Sequence, residues 1–134
     1  MNKRMLFNMS SKILLRRHPN APQNVTGVKK SNGDIEISYD APLGAVAYLT
    51  HYGDANTTDP HDAKYMGYSE TTMFTLAASD IPIGATTGDK IPFYVQAYGV
   101  KAPSGTTNVE KAAALHDAEN ITGSVWSTVV EVTI

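Results

Sequence analysis

Residues 91–100, IPFYVQAYGV, place Phe93, Val95 and Ala97 on one side of an extended chain and Tyr94, Gln96 and Tyr98 on the other. A helix would scatter these side chains around its axis, whereas a strand sorts them by its period of two. The same alternation recurs in DIEISYD, where Ile35, Ile37 and Tyr39 oppose Glu36, Ser38 and Asp40. AVAYLTHYG, KYMGYSE, TTMFTLA and WSTVVEVTI read as further short strands, the last with Val130, Val132 and Ile134 in phase. Turn chemistry separates them. SNGD at 31–34 is a hairpin signal in which Asn-Gly supplies positive φ angles, and SDIPIGATTGDK is a Gly- and Thr-rich crossing loop. Residues 101–124 form a long polar connection before the last strand, with a short helix predicted in NVEKAAALHDAEN and Asn108 as its N-cap. Seven short strands at regular spacing predict an all-β fold, a seven-stranded antiparallel sandwich.

The chain from about Pro22 to Ile134 resembles a fibronectin type III domain, an immunoglobulin-like sandwich. APQNVTGVKKSNGDIEISYDAP is similar to that family's first two strands, and Ile81, Gly84, Phe93, Val95 and Ala97 fall close to its later hydrophobic pattern. Tyr39 stands where the family's core tryptophan would be, and Ile91 where its corner tyrosine would be. The connection before the last strand is also longer than the family's. The resemblance implies a scaffold used by adhesion, binding and virion proteins, and it names no activity.

Catalytic and metal chemistry finds little support. Cysteine is absent, which removes thiolate nucleophiles, disulfides and cysteine–zinc sites. His18, His51, His61 and His116 show no metal-ligand spacing. DANTTDPHD gathers Asp54, Asn56, Asp59, His61 and Asp62, but lacks the ordered ligands and closing Glu of a calcium loop, so it reads as a solvated loop. GATTGDK precedes a strand, whereas a phosphate loop must open a helix. No G-x-S-x-G elbow occurs. The expectation is a protein without enzymatic activity, cofactor or metal. Tyr48, Tyr52, Tyr65, Tyr68, Tyr94 and Tyr98 lie on or beside the predicted strands. They read either as half-buried sandwich residues with hydroxyls reaching water, which is favoured, or as a face that contacts protein or sugar.

The first 18 residues are a separate problem. They hold five cations (Lys3, Arg4, Lys12, Arg16 and Arg17) and, besides Met1, seven large apolar residues (Met5, Leu6, Phe7, Met9, Ile13, Leu14 and Leu15), with no carboxylate. Residues 31–134, by contrast, carry four lysines against all thirteen carboxylates, a net −9. An apolar run broken after three residues is too short for a secretory signal, and cations scattered around the helical wheel do not suit a membrane surface. The apolar residues are superfluous for phosphate binding, and the acidic body would repel nucleic acid. A groove on a protein partner uses both properties, apolar floor and acidic rim together. The predicted organisation is therefore a partner-binding arm over residues 1–18 and a sandwich over 19–134. By architectural analogy, this suggests a structural protein of a bacteriophage particle: a capsid decoration, auxiliary, neck or tail component. The arm would bind capsid, neck or tail proteins or copies of the same chain in a large assembly, and the sandwich with its 101–124 loop would project outward from it. The alternative is a cell-surface or secreted module that recognises carbohydrate or protein through tyrosines and loops.

Overall fold

The computed structural model describes residues 18–134. The attachment residues named above, from Lys3 to Arg17, lie outside the described residues. Among the described residues seven strands form: β1 (Gln23–Lys29), β2 (Ile35–Asp40), β3 (Ala47–Tyr52), β4 (Tyr65–Ser69), β5 (Met73–Leu76), β6 (Lys90–Tyr98) and β7 (Val130–Thr133). One three-stranded sheet runs β1-β2-β5 and one four-stranded sheet runs β4-β3-β6-β7, with every pairing antiparallel. Ile35, Ile37 and Tyr39 of β2 face Phe93, Val95 and Ala97 of β6 across the core, joined by Leu76, Ile91 and Val132. Burying each such large apolar side chain contributes about 1.5–3 kcal/mol, and this apolar layer holds the two sheets together.

Tyr39 occupies the core at the position expected to replace a tryptophan. Its ring lies 4.9 Å from that of Tyr48, and its hydroxyl donates to the carbonyl of Thr71 at 3.1 Å. Ile91 is likewise fully buried. At the first hairpin, Gly33 alone takes a positive φ, of 96°. Lys30 and Asp34 pair through the backbone, while the Asn32 side chain accepts the Asp34 amide at 3.0 Å. Asn32 thus fixes the turn by its side chain, and the left-handed step falls to glycine, which has no Cβ to clash.

One expectation about the long connection is corrected. The segment packs on the sandwich. Its helix α1 (Asn108–Asp117) folds back over the outer face of the four-stranded sheet and buries Ala112 and Leu115 against Ala47, Leu49, Tyr68 and Tyr98. The cap is Thr107, not Asn108: Thr107 Oγ1 accepts the Glu110 amide at 3.2 Å, and Glu110 Oε1 accepts the Thr107 amide at 3.0 Å. This reciprocal pair satisfies two helix-end donors, which is why T-N-V-E starts the helix one residue earlier than expected.

The last strand is also shorter than its sequence pattern suggests. Ahead of β7, the chain lies along β6 without a regular ladder. The backbone of Ser124 donates to Ala97 O while its hydroxyl accepts the Ala97 amide, each at 2.9 Å. Ser127 repeats this on Val95, at 3.0 and 2.9 Å. Three residues on one side advance against two on the other, so backbone carbonyls fall out of register and serine hydroxyls take their place.

Two substitutions test this packing. Ser127→Ala strands the buried Val95 amide and is expected to destabilise the fold by about 1–3 kcal/mol in a denaturant titration. Gly67→Ala would set a methyl group 1.9 Å from the Phe74 ring. That overpacking is expected to lower the unfolding free energy by about 1–3 kcal/mol.

Candidate functional site

Helix α1 covers only part of the outer sheet face, and beside it lies an open groove of about 530 Å³. Its floor is His51 of β3, Met66 of β4 and Tyr94, Gln96 and Tyr98 of β6. One wall is His61, Ala63 and Lys64 from the β3–β4 loop, and the other is His116 with residues 121–123 and Trp126.

A chain of ring contacts crosses this groove. His61 meets Trp126 edge-on at 4.8 Å, Trp126 meets Tyr94 at 4.7 Å, and Tyr94 stacks on its register partner His51 at 4.8 Å. His116 lies 6.1 Å beyond His51. Trp126 remains 37 % exposed, so the groove presents aromatic surface to solvent.

His51 is the most constrained member, at 6 % exposure. Gln96 Nε2 donates to Ser124 O at 2.9 Å, which points Gln96 Oε1 at His51 Nε2, 2.7 Å away. The imidazole therefore carries its hydrogen on Nε2 and donates it to Gln96. Burial lowers its pKa from 6.5 to about 4; the Gln96 contact opposes this and the nearby His116 adds to it. His51 is thus neutral at physiological pH. On the same floor, burial pushes the Tyr98 hydroxyl up to about 12.

The basic groups on the walls are individually matched. Lys64 Nζ donates to Asp54 at 2.6 Å, His61 Nδ1 to Asp59 at 3.0 Å and His116 Nδ1 to Asp117 at 3.0 Å. The Lys64 contact, helped by the Tyr65 hydroxyl, holds the Asp54 carboxyl below its ordinary range. The backbone amide of His61, then its ring, does the same for Asp59.

The oxygen-rich loop does not converge. Asp54 turns to Lys64, Asp59 turns to His61, and Asn56 takes the Lys90 amide and Asp89. Among the described residues, no three His, Asp or Glu side chains are placed to share a metal ion. Tyr48 and Tyr52 point into the core, Tyr68 lies beneath α1, and Tyr65 is exposed; Tyr94 and Tyr98 reach the groove floor. Neither sequence reading of the tyrosines anticipated that the protein's own helix would cover much of this face. Sequence reasoning also missed the gathering of His51, His61, His116 and Trp126. They are far apart along the chain, and β3–β6 pairing together with the return of residues 101–129 brings them together. The available signal was the apolar second face of β6, which demands a cover.

No family model matches the chain, and no curated protein matches it. Among solved structures, the chain is similar to an Fn3-like protein from Clostridium thermocellum, with a TM-score of 0.52 and 16 % identity over 86 % of this chain and 92 % of that one. It is also similar to a chain of a cytokine receptor complex, with a TM-score of 0.55 and 20 % identity. That match covers 87 % of this chain and 51 % of the receptor chain, so this chain spans about half of that one. The fold is accordingly an Fn3-like β-sandwich, in agreement with the resemblance read from sequence.

His51 makes the fold acid-sensitive. Because its folded pKa lies below the unfolded value, the unfolded chain binds more protons between the two. The His51 contribution is complete above about pH 6.5 and is lost as pH falls towards 4, a change of about 3 kcal/mol. His51→Gln is expected to flatten the stability–pH curve across that window, as measured by urea titration at several pH values.

Proposed function

We propose that this protein is a non-enzymatic structural and interaction module, held to neighbouring protein subunits by residues 1–18. We further propose that the assembly is a bacteriophage particle, with this protein as a capsid decoration, auxiliary, neck or tail component. The observation that carries the tether is the division of charge and hydrophobicity along the chain. Five cations and, besides Met1, seven large apolar residues stand at 1–18 without a carboxylate, ahead of an acidic sandwich. Such a segment matches a protein partner better than a phosphate backbone or a lipid surface. Buried Pro19 and Pro22 anchor the start of the sandwich and support a domain boundary near residue 18. The absence of enzymatic activity is supported by the site chemistry. The hydroxyls of Ser124 and Ser127, on the connection that brings Trp126 to the groove, are engaged by backbone groups, and His51 is tied to Gln96.

A cell-surface or secreted binding module is the second reading, favoured by the exposed Trp126 in its groove. Deleting residues 1–18 separates the two. Under the tether reading, quantitative mass spectrometry of purified particles finds the truncated chain absent, while residues 19–134 remain folded by circular dichroism. Undiminished occupancy of the truncated chain would sink the tether.

A further inference from the structure

We propose that the groove around Trp126 is the receptor for the N-terminal arm of a second copy of this chain, so that each copy threads residues 3–17 into the next. This rests on the tether reading and names its partner surface.

Three observations carry it. The first is charge. Each basic group on the groove walls has its own carboxylate, in the pairs Lys64–Asp54, His61–Asp59 and His116–Asp117. Asp62, beside His61, and Glu119, two residues before Ile121, have no basic partner within ion-pair distance among the described residues. Among the described residues, no carboxylate lines the groove itself. Asp54, Asp59 and Asp117 pair with its basic groups, however, and Asp62 and Glu119 stand near lining residues in the chain, so carboxylates outnumber cations in its surroundings and complement an arm with five cations.

The second observation is shape and surface. Met66, Tyr94, Ile121 and Trp126 give the groove an apolar, aromatic lining suited to Met, Leu, Ile and Phe side chains. Two other surface sites fit less well. Leu43 and Ile83 are single loop-tip residues, and the cleft beside Tyr68 and Glu70 has a mostly polar lining, with Ser69, Thr75, Asn108 and Lys111.

The third is where the arm begins. β1 belongs to the three-stranded sheet, and Gln23 at its start pairs with Asp40 at the end of β2. The groove lies on the outer face of the opposite sheet. The chain ahead of β1 is therefore attached to the sheet that does not carry the groove. Seventeen residues reach about 55 Å when extended, enough to cross to an adjacent domain. Arm-to-groove contacts are head-to-tail, so they build a ring or filament.

The chain contains a single tryptophan, so its emission reports on the groove. The test combines sedimentation velocity with Trp126 fluorescence on the full chain, on residues 19–134, and on the full-chain double variant Asp62→Lys/Glu119→Lys. The truncated chain retains both sheets and both apolar clusters. The full chain is expected to associate with a change in Trp126 emission. Truncation removes both effects, a synthetic peptide of residues 1–18 restores the emission change, and the double variant weakens association roughly tenfold or more. Because both altered carboxylates are exposed, the double variant leaves the core untouched. Arm-dependent association without any Trp126 change would place the arm elsewhere and overturn this proposal while leaving the tether intact. An arm-dependent emission change in a strictly monomeric chain would assign the groove to the chain's own arm and overturn the second-copy partner. Failure of the tether itself is read separately, from particle occupancy of the truncated chain.

Discussion

Strand β6 is withdrawn from water on both faces, and the rest of the molecule is arranged around that constraint. Phe93, Val95 and Ala97 pack against the three-stranded sheet, while Tyr94 and Tyr98 on the opposite face are also buried. The neighbouring β3 is buried along its whole length for the same reason. A two-layer sandwich supplies a partner for only one face of each sheet. The second face has to be covered by something else, and residues 101–129 provide the cover.

That cover is incomplete, and the groove is the part it leaves open. Ala112 and Leu115 close the sheet over Ala47, Leu49, Tyr68 and Tyr98, but the helix ends at Asp117 before reaching Tyr94. The chain then returns along β6, held by Ser124 and Ser127, and brings Trp126 down onto Tyr94. The serine register thus has two effects: it satisfies the amides of Val95 and Ala97, and it sets the indole at the groove wall. His51, caught between Tyr94 and His116, is kept neutral by the same burial that stabilises the sheet.

Charge organises the surface on a longer scale. Cations stand at the start of the chain and carboxylates on the sandwich, and the attraction of such a cationic segment to any acidic protein surface weakens with added salt. Similarity to Fn3-like structures at 16–20 % identity fixes the scaffold and leaves the binding chemistry to this chain's own residues.

Much of the fold was legible in local pattern. Period-two alternation identified β2 and β6 and the inward phase of Ile35, Ile37, Tyr39, Phe93, Val95 and Ala97, because a strand must sort its side chains by face. The length of the last strand was overestimated, since alternation in WSTVVEVTI does not reveal that three residues before β7 would step against two. The cap of α1 was misplaced by one residue because its reciprocal contact with Glu110 outweighed the preference of Asn108. The groove itself was not legible: His51, His61, His116 and Trp126 have no common spacing, and only strand register and the returning connection bring their rings together. By itself, then, the sequence determined the sandwich and the opposition of a basic, apolar arm to an acidic body, since both follow from residue type and short-range order. Only the tertiary structure decided which face the long connection covers and where it stops, because that depends on how distant apolar surfaces share their burial.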